Sequence, residues 1–198
     1  MITAIVLAAG ASQRMGATKA LLPFRGTTFL GAILDALLAV GLAKRVVVLG
    51  ADADKILSGI DLSGVEVLRN PDPRSGPIES IRIALRALFN HPVEASLVWH
   101  VDRPHVSLAS VQALVDRFRQ GGAAIVIPSY QGQRGHPVVF GREVFQELLD
   151  APDGEGARAV VRADPSRIAL VPVDDPAVVD DIDTPEAYQE LLRREDAV

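Results

Sequence analysis

The 198-residue chain has no cysteine. That absence excludes disulfides, thiolate zinc sites, iron–sulfur clusters and thiol nucleophiles, so any bound metal must sit on oxygen or imidazole. Long apolar runs are also missing: residues 29–43 are interrupted by Asp35 and fall short of the roughly 20 residues that a membrane crossing needs. No Lys or Arg precedes the apolar start over residues 2–11, as an export signal would require, so a mature, cytoplasmic protein is expected. Positive charge is not in excess, with 20 Lys and Arg against 25 Asp and Glu, a net charge of -5 and a pI near 5.4. Phosphate-backbone attraction is therefore not the main business, and neither nucleic acid nor membrane is expected as a partner. Aromatics make up only 5% of the chain, and Trp99 and Tyr130 are the large ones near the motifs described below. There is no internal repeat and no low-complexity segment.

What is present is an ordinary globular composition, 48% hydrophobic and 23% charged, at a length suited to one domain. Residues 2–7 form a β-branched apolar run that stops at Ala8-Ala9-Gly10, as a buried first strand feeding a tight loop would. From Thr28 the apolar residues Phe29, Leu30, Ile33, Leu34, Leu37 and Leu38 recur at three and four, predicting an amphipathic helix that stops near Gly41. A second strand over 46–49, a short helix over 54–57 and a third strand over 65–68 complete a βαβαβ rhythm before the turn-rich residues 70–76. Pro77 suits the first helical position of the next element, with Ser75 or Gly76 as its cap. A fourth strand over 95–101 ends at Asp102, followed by a helix over 107–119. Strands over 123–127 and 136–140 around a Gly-rich turn, read as a hairpin lobe, lead to helices over 142–150 and 156–162. A strand over 168–171, an acidic loop and a helix over 185–194 close the chain. The expected fold is α/β: a Rossmann-like three-layer α/β/α arrangement with a mostly parallel sheet and a small hairpin lobe, 1–198 as one domain. Ligands of such sheets bind beyond the carboxyl ends of the strands, the edge that Gly10 and Asp102 would share.

The strongest chemical signal is the small-residue loop Leu7, Ala8, Ala9, Gly10, Ala11, Ser12, Gln13, Arg14, Met15, Gly16, Ala17, Thr18, Lys19. Small residues let backbone N–H groups approach an anion closely, and two cations can neutralise charge building on a leaving pyrophosphate. It is not a P-loop, because two residues separate Gly16 from Lys19, and it lacks the Gly-x-Gly-x-x-Gly fingerprint. Asp174, Asp175, Asp180, Asp181 and Asp183 lie within ten residues, and spacing alone also suits solvated charges and caps for the helix starting at Pro185. His100 and His105 bracket Asp102 and could line a site or hold a transition metal, while His91 reads as an exposed loop residue.

The ordered string over 7–19 resembles the signature loop of nucleotidyltransferases that transfer NMP from an NTP, most closely the molybdenum cofactor cytidylyltransferases. The likeness continues through Leu21-Leu22-Pro23, Gly26, residues 76–82, Arg134-Gly135-His136-Pro137, Gly154-Glu155-Gly156-Ala157-Arg158 and Asp181-Ile182-Asp183-Thr184-Pro185. This resemblance implies a nucleotide-binding half over 1–105, in which Gly10 to Gly16 wraps the triphosphate, Arg14 and Lys19 bind it, and Leu7, Ala8 and Ala9 also line the nucleotide. Gly76, Pro77, Ser80 and Arg82 are implied near the base. Asp102 with Asp183, or Asp181, is implied to hold Mg2+, with Mn2+ as a substitute. The other half, 106–198, is implied to bind the acceptor through Arg134, Gly135, His136 and Arg158. Ala9 fits the family's cytosine form of the loop, so CTP is the implied donor and molybdopterin the acceptor. A molybdoenzyme or its chaperone would lie downstream, and the protein is expected to be a monomer. Oxygen ligands suit Mg2+, which takes one or two carboxylates plus substrate phosphates. The chain departs from the family at His100-Val101-Asp102, where Gly usually precedes the Asp, and at Gly154-Glu155-Gly156, where an Asp is common. Two alternatives remain beside the leading reading: the same chemistry on a sugar phosphate or other small phosphate, and a non-catalytic nucleotide or cofactor carrier.

Overall fold

The computed structural model describes residues 1–10, 13–72 and 76–196. Its centre is β1 (Ile2–Ala8), whose seven residues are all buried. Parallel to it lie β4 (Arg45–Leu49) on one side and β6 (Ala95–His100) on the other, and β5 (Glu66–Arg69) follows β4. Alternate residues of β1 point to opposite layers: Ala4, Val6 and Ala8 join one apolar cluster, Ile5 and Leu7 the other. Burial on both faces explains the unbroken β-branched runs that mark these strands in the sequence.

The first cluster is covered by α1 (Phe29–Ala39) and α4 (Leu108–Arg119), the second by α3 (Gly76–Leu88), α5 (Phe145–Asp150) and α6 (Ala157–Ala163). The helix α2 (Ala53–Gly59) links β4 to β5, and α7 (Pro185–Asp196) adds Leu191 to the first cluster. Hydroxyl caps start the helices where the sequence offers them. Thr28 Oγ1 accepts from Gly31 N at 3.1 Å and Ser107 Oγ from Ser110 N at 3.2 Å. The cap proposed at Ser75 lies outside the described residues.

The second half of the sheet is built from β7 (Ile125–Tyr130), β8 (Gln133–Arg134), β9 (Val138–Gly141) and β10 (Ile168–Pro172). The strand order is β10-β7-β9-β6-β1-β4-β5. β7 and β8 make an antiparallel hairpin, with β8 off the main strand path and β10 at the edge of the sheet. β9 runs back into the main sheet, antiparallel to both β6 and β7, so the strand that follows the hairpin becomes a central member of the one sheet. A second, two-stranded pairing of β2 (Pro23–Phe24) with β3 (Thr27–Thr28) has no counterpart in the sequence reading. Its two-residue strands are too short to show a period. No helix among the described residues is long and apolar enough to cross a membrane.

Candidate active site

Three segments meet at the carboxyl edge of β1 and β6. The first is the loop after β1. At its start, Gly50 packs so closely on Ala9 that a Cβ there would lie 2.9 Å from the Ala9 Cα, so the two loops can touch only with glycine at 50. Further on, Thr18 Oγ1 donates to Asp52 Oδ2 at 2.9 Å, fixing the turn that presents Lys19. The second segment continues β6: Val101 N donates to Leu7 O at 3.1 Å, which carries the ladder one residue further and sets Asp102 beside the first loop. The third is the acidic loop over 174–183, docked by Ile182 N donating to Asp102 O at 2.8 Å.

These segments bring Arg14, Lys19, Asp102 and Asp183 together. The Lys19 ammonium contacts Asp183 Oδ1 and lies 3.9 Å from Asp102 Oδ2; the Arg14 guanidinium contacts Asp183 Oδ2. Burial pushes the Asp183 carboxyl up, but the hydrogen bond and charge of Lys19, with the charge of Arg14, outweigh it and hold the group below the usual carboxylate range. Asp181 is more exposed and lies 3.9 Å from Arg103 Nη2, so of the two neighbouring carboxylates it is Asp183 that meets Lys19. Asp183 is also released from capping duty, since Thr184 Oγ1 accepts from Ala187 N at 3.2 Å at the start of α7. Asp102 Oδ1 is buried and has no hydrogen-bond partner among the described residues, with Arg103 Nε 4.0 Å away.

Beside Asp102 opens a cavity of about 300 Å3. Its floor is apolar, with Ile78, Val98 and Phe140, and its polar lining includes His100, His136 and Arg158. The two imidazoles stack edge to face with ring centres 4.7 Å apart. Burial lowers the basicity of both, and for His136 the neighbouring His100, Arg103 and Arg158 add to this, so its pKa falls to about 3. Near neutral pH both rings are uncharged hydrogen-bonding groups. His136 is placed by its N–H, which donates to Val178 O at 2.8 Å, and Gly135 N donates to Pro128 O at 2.8 Å. Gly135 lies against Val178 so tightly that a Cβ would come within 2.7 Å of the Val178 carbonyl carbon.

Other residues singled out in the sequence are placed differently. Pro77 lines the cavity and Gly76 opens α3 with φ +75, whereas Leu7 and Met15 point into the core. Ser80 is buried and accepts from Asn70 Nδ2 at 3.0 Å, tying α3 to the end of β5. Arg82 is committed elsewhere: it pairs with Glu79 at 3.0 Å and Asp153 at 2.7 Å and donates to the Ala151 carbonyl, so it holds the cavity wall over 151–156. Arg134 is exposed on β8, and Gly16 is exposed with φ +65. Ala11 and Ser12 lie outside the described residues. Two residues to which the sequence assigns no role of their own hold the acidic loop in place. Asp175, 8% exposed, accepts from Ser107 N, Ser110 Oγ and Ala177 N at 2.8–3.0 Å, and so pins the acidic loop to α4. Arg103 clamps the same loop from the other side.

Residues 4–177 match the model of the MobA-like NTP transferase domain. The chain belongs to that family. This is a nucleotidyltransferase family, and the mixed, mostly parallel sheet is the fold it shares with nucleotide-diphospho-sugar transferases. The protein is 31% identical to nicotine blue oxidoreductase of Paenarthrobacter nicotinovorans, over 96% of both chains. To the molybdenum cofactor cytidylyltransferase of Escherichia coli K12 the identity is 26%, over 94% of this chain and 93% of the relative. The likeness to the cytidylyltransferase branch is thus real but less than the sequence motifs implied. In structure, the protein is similar to Rv0371c of Mycobacterium tuberculosis H37Rv, with TM-score 0.87, 31% identity and 98% of both chains covered. Rv0371c has also been solved in complex with manganese, with TM-score 0.76, 30% identity, and 97% of this chain and 98% of that one covered.

Proposed function

We propose that this nucleotidyltransferase moves CMP from CTP to the terminal phosphate of molybdopterin, releasing pyrophosphate, with Mg2+ or Mn2+ held by Asp102 and Asp183. The observation that carries the reading is the Lys19 ammonium set between two carboxylates at the joint edge of β1 and β6. A cation already occupies that position, Asp102 Oδ1 is a buried acceptor with no hydrogen-bond partner among the described residues, and the ligand atoms are all oxygen, so the residues fit a hard divalent ion. When bound, the ion would supply Lewis-acid stabilisation of phosphoryl charge. Arg14 and Lys19 then meet the triphosphate and neutralise charge on the departing pyrophosphate. The loop after β1 contributes backbone N–H groups, and Ala9 supports cytosine as the base. A phosphate monoester is already ionised at neutral pH, so the acceptor needs no strong base and positioning carries the rate.

On this reading residues 106–198 hold the acceptor. An apolar floor with two uncharged imidazoles suits a flat heterocycle, and Arg158 suits its anionic tail in a lining that also carries Asp153 and Glu155; Arg134, exposed on β8 outside that lining, is assigned to the tail by the family resemblance alone. A second reading, redox chemistry on a planar substrate in the same cavity, is favoured by the 31% identity to nicotine blue oxidoreductase. The deciding experiment measures pyrophosphate release from each NTP with Mg2+, with and without molybdate-loaded molybdopterin, and with sugar phosphates as controls. CTP turnover that requires molybdopterin and vanishes in Asp102→Ala is the expected result. Release that follows a sugar phosphate would replace the acceptor. No release at all, with turnover of nicotine blue, would establish the second reading.

A further inference from the structure

Arg103 follows Asp102 directly, and its side chain is only 13% exposed. Its backbone is fixed on both sides: Arg103 N donates to His100 O at 3.2 Å, and Arg103 O accepts from the Nε1 of fully buried Trp99 at 3.0 Å. From that anchor Nη1 donates to two carbonyls of the acidic loop, Val178 O at 3.2 Å and Asp180 O at 2.9 Å. The guanidinium is flanked by carboxylates, with Nε 4.0 Å from Asp102 Oδ1 and Nη2 3.9 Å from Asp181 Oδ2. The Val178 carbonyl also accepts the N–H of His136, so one oxygen joins the clamp to the cavity wall.

We propose that Arg103 is a positioning residue that sets Asp183 against Asp102 and so fixes the spacing of the divalent-cation site; this rests on the metal reading above. The loop over 178–183 has no strand or helix of its own beyond a 3-10 turn at Pro176–Val178, so its path is decided by what grips it. Arg103 holds Val178 and Asp180, and Ile182 N holds Asp102 O, which leaves Asp183 one residue past the last grip. One nitrogen, Nη1, serves both carbonyls, while Nε and Nη2 of the same rigid plane face Asp102 and Asp181, so a single group grips the loop and lies between the two carboxylates. A lysine keeps the charge but not the two further nitrogens of that plane. Groups that orient metal ligands without touching the metal are worth roughly 10-fold to 100-fold in affinity.

The test uses the full chain as wild type, Arg103→Ala, Arg103→Lys and, as a control, Arg194→Ala, which removes an exposed partner of Asp180. Mn2+ uptake is followed by electron paramagnetic resonance, with and without CTP, and amide hydrogen exchange is read over 178–183. R103A is expected to lose protection in that segment and to bind Mn2+ roughly 10-fold to 100-fold more weakly, with R103K between it and wild type and R194A unchanged. Should R103A fail to fold, R103K carries the test, since it keeps the buried stem and the charge. Lost protection with wild-type Mn2+ affinity would make Arg103 a mere loop anchor and overturn the proposal, as would unchanged protection. Wild-type protein that takes up no Mn2+ even with CTP would overturn the metal reading itself, and that failure shows before any substitution is made.

Discussion

Replacing Asp183 with Asn tests the centre of the site on two independent scales. The carboxylate accepts from Lys19, 12% exposed, and from Arg14, 72% exposed. Exposed pairs are screened, so the Arg14 contact counts for about 0–1 kcal/mol. Hydrogen bonds between charged, largely buried groups contribute about 1.5–3 kcal/mol, and an amide oxygen keeps part of that. D183N should therefore cost about 2 kcal/mol, or about 4–8 °C in Tm at this chain length. The pH window follows from the direction of the shift. Because the folded carboxyl lies below its ordinary value of 3.8, its contribution is fully present above that value and is lost as pH falls through the folded pKa. The difference between wild type and D183N in urea denaturation should thus be flat from about pH 5 to 8 and shrink only in stronger acid. Nucleotidyl transfer should fall about 100-fold to 1000-fold, the scale for losing one preorganised electrostatic group. A D183N protein as stable as wild type at pH 7, or one whose deficit grows towards acid, would refute the account of Lys19 and Asp183 as a mutually stabilised pair.

Gly135→Ala forces a Cβ onto the Val178 backbone, so the acidic loop must shift; a loss of about 1–3 kcal/mol in urea denaturation is expected, with reduced turnover. Wild-type stability there would mean that the loop yields freely. Arg82→Ala releases the wall over 151–156 and should raise KM for the acceptor while leaving KM for the NTP within about twofold; an effect confined to the NTP would return Arg82 to the nucleotide side. His136, with its pKa lowered to about 3, stays neutral in the fold while the unfolded chain takes up a proton below about 6.5, so acid destabilises the native state. His136→Gln should flatten the fall in stability between about pH 6.5 and 3 by up to about 1.4 kcal/mol per pH unit. An unchanged slope would mean that the ring is protonated in the fold.

Much of the architecture could be read from the residues because the inner strands are buried on both faces. The runs over 2–7 and 46–49 and the helical stripe from Phe29 to Leu37 carry their layer assignment in their own periods. Pairing partners carry no such mark. Nothing local in Val138–Gly141 says that it inserts beside β6, a strand about forty residues earlier in the chain, because a strand's period is the same whichever neighbour it takes. The site divides in the same way. The loop after β1 and Asp102 announced themselves by following strand ends, but the five late aspartates look alike in sequence. Contacts separate them: Asp175 faces two serines and a backbone N–H, Asp181 faces Arg103, and Asp183 faces Lys19. The resemblance sets Arg82 near the base, whereas its partners Ala151 and Asp153 lie about seventy residues away, beyond the reach of helix spacing.

The insertion of β9 between β6 and β7 also governs how the molecule can be made. A chain emerging in order completes β5, β4, β1 and β6 first, and β6 then waits with an open edge until residues 138–141 arrive. Open edges pair with whatever strand is available, including those of other molecules. The helix α4 and strand β7 must be in place before that edge is sealed, so closure is a late, long-range event of the kind that slows folding. A fragment ending at residue 105 would keep the nucleotide loop and Asp102 yet expose the β6 edge permanently, and it would be a seed for association rather than a working half.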